Sequence, residues 1–424
     1  MVTCLLVFGL VGTASAQGAR NALPPDVIKL MEEKPKIELV TMGVGSLAWE
    51  RHGHIALCIE YEDPNKNACY NYGMGDFHHP LGMAWGFFRA NGAFWVEKMD
   101  PGGMLSIYKH ADRTVWVQPL PLTQDQKKKV IDKLEYDILE DHKNYAYDHF
   151  WDNCTTRVRD ILDDVTDHAF QKMVVTTDDR TYRDLAREGF AGMRLFSLIT
   201  DLAMGRVTDH IPSYWERMFL PDYLREAVVT LWHIEPIAIY ERKGPLAFKE
   251  LEKHLADPNL TPAQRENYEQ QLEALKNAPT GRILFCLLIL VLTSPAWLTR
   301  LWGKFQRTGL AFTVVPIVLL GLVFWMLSII SPLPYVRWNE TLLCLMPFDV
   351  LLLLLPLEKR QKYAKGRVAM LGLCAALLII NVLRAPIWPA LLWALVPNAV
   401  VAFMPEKRAP AKPPETAGKR ATSA

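Results

Sequence analysis

Between residues 37 and 120 the chain alternates short apolar runs with turn residues, giving IELVTMGV, HIALCIEY, ACYNYGM and TVWVQPL. Runs of this length, rich in β-branched and aromatic residues and bounded by Gly, Asn, Asp and Pro, predict strands. After them the period lengthens. LTQDQKKKVIDKLEYDILE predicts a helix with Thr123 as its N-cap, and DNCTTRVRDILDDV opens another whose apolar face includes Val158, Ile161 and Leu162. Helices are also expected through YRDLAREGF and at MFLPDYLREAVVTLW. FKELEKHLADPNLTPAQRENYEQQLEALKN reads as a charged helical hairpin, its second arm opened by Thr261-Pro262, serving as a solvated spacer or lid. Strands followed by helices make an α+β domain.

The pattern changes again after Arg282. Apolar stretches occupy about 283–299, 309–331, 341–357, 368–383 and 385–404, each approaching the roughly 20 residues that cross a bilayer. Three basic segments follow the first, third and fifth of them: TRLWGKFQRTG, LEKRQKYAKGR and the tail. An odd number of crossings puts all three on one side, which the excess of Lys and Arg makes cytoplasmic. The domain before the first stretch is then outside. Prolines at 295, 316, 347, 386, 389 and 397 leave four or six crossings open, and Asp349, Asn381 and Asn398 need partners at membrane depth. At the other end, MVTCLLVFGLVGTASAQ has a short apolar core and an Ala14-Ser15-Ala16 cleavage pattern, although no basic residue precedes the core. The expected divisions are a signal peptide at 1–16, an exported domain with a helical extension at 37–230, the charged hairpin at 231–281, a membrane domain at 282–404 and a disordered tail at 405–424.

Composition narrows the possibilities. The 424 residues carry a net charge of +1, so no nucleic-acid partner is expected. Of seven cysteines, Cys58, Cys69 and Cys154 fall in the expected soluble part, and no C-x-x-C pattern marks a zinc site. Cys58 and Cys69 flank the turn EDPNKN. They either bridge a hairpin in an oxidising compartment or remain two core thiols.

Cys154 opens a helix, where the dipole and unpaired backbone N–H groups favour a thiolate and offer an oxyanion site. Asn153 stands immediately before it in a supporting position. His54 heads a strand, and the preceding Gly53 leaves room for a helix end to approach; an imidazole there can take the thiol proton and return it to a leaving group. Following the hairpin register back places His54 opposite Gly75 or Asp76. Asp76 is therefore the expected third member, with Asn71 the alternative if the register slips. His52, His54, His78, His79 and Asp76 make a possible ligand list for a metal, but no second diagnostic spacing accompanies them and none is expected. Tyr145, Tyr147, Phe150, Trp151 and the stretch WGFFRANGAFW are aromatic enough to line a slot for an acyl chain.

GHIAL, YNYGMGDF, the Tyr145-x-Tyr147 pair, DNCTTRVRDIL, TYRDL and MFLPDYL, in this order from about 37 to 404, resemble the Lnb-type bacterial lipoprotein N-acyltransferases. The resemblance implies a circularly permuted papain-like cysteine domain, similar to lecithin:retinol acyltransferase, followed by a membrane domain of about five helices. It implies His54 as base, Cys154 as nucleophile and, less directly, Asp76 as third member. Arg51-His52 before Gly53 departs from the bulky apolar residue expected there. The implied reaction moves a fatty acyl chain from a phospholipid donor, through a thioester, to the α-amino group of a diacylglyceryl-modified lipoprotein. It takes place on the periplasmic side of the inner membrane and needs no cofactor. Two other classes use the same residues differently: a phospholipase or papain-like cysteine hydrolase at the membrane, and a non-enzymatic membrane scaffold in which Cys154 and His54 are structural.

Overall fold

The computed structural model describes residues 23–91, 93–246, 248–277 and 281–406. The expected signal peptide and nearly all of the tail lie outside them. The chain divides into two compact units, one formed by residues up to Thr280 together with Ile330–Trp338, the other by Gly281–Ile329 and the residues from Asn339 onward.

The first unit is built on a seven-stranded antiparallel sheet. Its strands are β1 (Lys36–Met42), β2 (His54–Glu60), β3 (Ala68–Gly75), β4 (Phe94–Met99), β5 (Val115–Pro119), β6 (Asn144–Tyr145) and β7 (Ile237–Tyr240), in the order β6-β4-β3-β2-β1-β5-β7. The side-chain period of two sorts the strands onto two buried faces. On one, Leu39, Leu57, Tyr70 and Tyr72 pack with Val158, Ile161, Leu162 and Leu224. On the other, Val40, Ala56, Val115 and Val117 pack with Met104.

Seven helices matter for the site: α1 (Pro25–Glu32), α2 (Pro80–Arg89), α3 (Pro101–His110), α4 (Gln124–Asp137), α5 (Cys154–Val165), α6 (Tyr182–Gly189) and α7 (Arg194–Ala203). α8 (Pro221–Trp232) then packs against β1 and α5, and α9 (Phe248–Leu255) pairs with α10 (Pro262–Asn277) as the expected hairpin. Thr123 caps α4 in a reciprocal box with Gln126.

Cys58 and Cys69 face each other across β2 and β3, Cα atoms 4.0 Å apart, and form a disulfide buried in the second face. That settles their role in favour of a bridge, which suits an oxidising compartment. The bridge closes a short loop, so replacing both cysteines by alanine is expected to cost about 2–3 kcal/mol. Thermal unfolding of the double variant, with and without reductant, measures it.

The second unit contains α11 (Gly281–Trp302), α12 (Gln306–Ile330), α13 (Leu357–Ile379) and α14 (Trp388–Phe403). Among the described residues, α11 and α12 are long and apolar enough to cross a membrane, while α14 is shorter. The stretch 341–357 is not one helix. It breaks into turns at Glu340–Leu343 and Pro347–Val350 and a single helical turn at Leu351–Leu354. Pro347 cannot donate its backbone N–H to a continuing helix, and Pro356 starts the next one. LEKRQKYAKGR, expected as a loop, is the first half of α13. Its Arg367 forms a two-pronged pair with Asp349 at 2.8 and 2.9 Å, and Tyr363 adds a third bond at 2.9 Å. Asp349 is thus satisfied locally; the Asn398 amide nitrogen donates to Ala394 O at 2.9 Å, while its Oδ1 is buried without a hydrogen-bond partner.

Candidate active site

α5 starts where the sequence placed it. Asn153 Oδ1 accepts from the N–H groups of Thr155 and Thr156 at 2.8 and 2.9 Å, while Asn153 Nδ2 donates to His149 O and Phe219 O at 2.7 and 2.9 Å. This one side chain caps the helix and ties the preceding loop to residue 219. It also changes the oxyanion expectation. The Thr155 and Thr156 amides are already taken, which leaves the Cys154 N–H as the uncapped donor of the first turn.

Cys154 is 8% exposed, and its thiol lies 3.8 Å from Thr155 Oγ1. The Ile55 N–H, next in the chain after His54, also acts on the sulfur. The approach from α5 to the strand edge depends on Gly73. This residue sits in a bulge between Tyr72 and Met74 at φ +83°, and a Cβ there would touch Cys154 Cβ at 3.5 Å and Tyr147 Cε2 at 3.4 Å. Gly53, at φ +78°, works differently from the expectation. A Cβ on it would meet Met42 O at 2.9 Å and Pro221 at 3.5 Å, so it makes room for β1 and the start of α8, not for the cysteine helix.

The hairpin register differs from the expected one by two positions. Ile59 pairs with Ala68 and Ala56 with Asn71, because a 3-10 turn at Pro64–Lys66 takes up additional residues. Asp76 therefore does not reach His54. It is exposed and holds His79 Nδ1 at 2.7 Å, which keeps its carboxyl below the usual range. Asn71, the alternative, is the partner. It is fully buried, its Oδ1 lies 3.3 Å from His54 Nε2, and its amide nitrogen is turned to Met104 Sδ at 3.5 Å. An amide oxygen at Nε2 puts the ring proton there and leaves Nδ1 as the basic nitrogen.

Burial first, then the guanidinium of Arg113, pull His54 down to about 3, against a smaller opposing effect of Asn71. Burial pushes the Cys154 thiol up. The resting pair is a neutral thiol and a neutral imidazole. Asn71→Ala is expected to lower turnover by about 10- to 100-fold by loosening the ring. Asn71→Asp would restore much of that loss and move the acid limb of the pH profile. Steady-state rates against pH test both.

The remaining residues named from sequence have local roles. His52 Nε2 bonds Ala186 O at 2.9 Å and its ring packs edge-on against His149 and Phe190. His78 and His79 are exposed. Among the described residues no three His, Cys, Asp or Glu side chains converge as metal ligands. The WGFFRANGAFW stretch splits between α2 and β4. Phe94 stacks on Tyr147 at 4.5 Å, Phe87 leans on Tyr147 at 6.2 Å, and Trp85 is 42% exposed. Two clefts of about 490 and 730 Å³ lie in the same unit, sharing Arg180, Tyr223, Arg225 and Glu226, and neither is lined by Cys154.

Two residues at the site escaped the sequence reading. Tyr108, on α3, stacks on the His54 ring with centroids 6.1 Å apart and planes 23° apart. Arg113 lies over the ring of that tyrosine, its Cζ 4.9 Å from the ring centre.

Fold and site together define an α+β domain with a capped, buried cysteine at a helix start and an oriented histidine on the adjoining strand, in a chain that also carries two membrane-length apolar helices. Residues 31–188 match the family model described as the Lnb N-terminal periplasmic domain. That likeness, with the two apolar helices, points to a lipoprotein-related membrane enzyme with a periplasmic domain. No curated protein matches the chain, and no solved structure does.

Proposed function

We propose that this protein transfers a fatty acyl chain from a membrane phospholipid, through a thioester on Cys154, to the α-amino group of the lipidated N-terminal cysteine of lipoproteins. The observation that carries the reading is a helix-start cysteine set beside the strand whose histidine is oriented by Asn71. The order of the two, histidine before cysteine, with the helix packed on an antiparallel sheet, supports a circularly permuted papain-like arrangement.

The chemistry runs in two halves. His54 Nδ1 takes the proton from the Cys154 thiol as sulfur attacks the ester carbonyl. The tetrahedral intermediate collapses, the lysophospholipid oxygen leaves, and the imidazolium returns the proton to it. The acceptor amine then attacks the thioester, the thiolate leaves, and the amine's surplus proton passes through His54 back to sulfur. A base held well below its ordinary pKa makes a strongly acidic imidazolium, which suits protonation of a poor alkoxide leaving group. Met83, Phe87, Phe94 and Tyr147 form an apolar wall beside the sulfur for the acyl chain.

The membrane part is read as a multi-pass domain of the bacterial inner membrane, with the basic segment around Arg300, Lys304 and Arg307 in the cytoplasm. It holds the site near lipid-borne donor and acceptor, raising their effective concentration. Mass spectrometry of lipoprotein N-terminal peptides from cells with and without the protein tests the reading. Loss of the amide-linked acyl chain without it is expected, and identical peptides would reject it.

A further inference from the structure

The resting site is electrically awkward. The sulfur is buried, its thiol is pushed up, its histidine is held neutral, and two first-turn amides are consumed by Asn153. Negative charge must nevertheless develop on sulfur and then on the carbonyl oxygen.

We propose that Arg113 is the positive charge that stabilises both, a positioning and electrostatic residue acting from beside Tyr108. The guanidinium is 4% exposed, with Nε donating to Gly43 O at 2.8 Å and Nη1 3.7 Å from Glu50 Oε1. Its Nη2 is buried and has no hydrogen-bond partner. A buried guanidinium nitrogen left without an acceptor is costly, and one beside a nucleophile becomes favourable when an anion forms there. The chain is built to hold it in place. Asp112 turns at φ +49° and is anchored by Tyr240 Oη, Lys243 N and Gly244 N at 2.7–2.9 Å, which aims the next residue inward. Tyr108 stacks on His54 and carries Arg113 Cζ 4.9 Å from its ring centre, and Arg113 interacts electrostatically with both His54 and Cys154.

Around the sulfur stand the phenols of Tyr108, Tyr145 and Tyr147, all pushed up by burial and neutral, and the neutral His54. Asp148 holds the Phe150 and Trp151 amides, and Asp152 holds Arg157. Glu50 and Arg242 flank Arg113 from behind.

This inference rests on Cys154 being the nucleophile, but its test reads the sulfur directly and not acyl transfer, so the two can fail separately. The full-length protein in detergent is alkylated with iodoacetamide across pH, and modification of the Cys154 peptide is followed by mass spectrometry. Arg113→Gln is expected to move the midpoint up by about one pH unit, slowing alkylation about tenfold at a given pH below it. Arg113→Lys keeps most of the wild-type behaviour. Glu50→Gln, which removes a compensating carboxylate, moves the midpoint down and decides the matter if the arginine variant does not fold. A wild-type midpoint in both Arg113→Gln and Glu50→Gln, or a lysine variant indistinguishable from glutamine, overturns the proposal.

Discussion

Cys154→Ala is expected to abolish the proposed N-acylation: lipoproteins from cells relying on the variant should lack the amide-linked chain, with transfer in membranes falling by about 10³-fold or more. The magnitude follows from chemistry, because without sulfur no thioester forms and the phospholipid ester must meet the amine directly. The fold should survive. The side chain is small, α5 is capped by Asn153 and not by the cysteine, and deleting one sulfur falls within the ordinary range of about 1 kcal/mol. The same assay separates the rival enzymes. Lysophospholipid released by the wild type without any acylated amine would make the protein a hydrolase, and full function of Cys154→Ala in cells would make it a scaffold.

His54→Ala is expected to lose nearly as much, and the double variant no more than either single one. Residues that act as one device are strongly non-additive, whereas independent contributions would multiply. The pH behaviour adds a second signature. His54 sits at about 3, below its unfolded value of 6.5, so the native protein binds fewer protons than the unfolded chain between those values. Stability is therefore undiminished by this group above pH 6.5 and declines as pH falls through the window towards 3. Replacing the imidazole with alanine removes that contribution, so the variant should lose less stability between pH 6.5 and 4 than the wild type. Denaturant midpoints at several pH values check it, and equal slopes would count against a buried neutral ring.

Much of the fold around the candidate site is legible in the chain. β1, β2, β3 and β5 fall on the apolar runs, and α4 and α5 start at the residues that cap them. The failures have physical causes. The turn between β2 and β3 winds through Pro64–Lys66, and β3 bulges at Gly73, so counting straight back along the register led to Asp76 instead of Asn71. Asp100-Pro-Gly-Gly looks like a turn but is the capped start of α3, with Asp100 bonding Gly103 N at 2.8 Å. Missing α3 meant missing Tyr108, and with it Arg113, because nothing local ties either residue to His54. In the second unit, hydropathy registered 341–357 as continuous although prolines and an Asn339 cap break it.

The two long apolar helices are tied to the first unit at both ends. Ile330–Trp338 belongs to the first unit, with Tyr335 buried against Phe150 and Trp151 and its carbonyl accepting from Gly205 N at 2.6 Å. The polypeptide therefore leaves that unit at Thr280, runs through α11 and α12, and returns to it. The apolar pair α11 and α12 is thus bracketed at both ends by segments of the same folded body. A truncated protein ending at residue 280 would lack Tyr335, leaving a hole lined by aromatic rings next to the loop that carries Asn153.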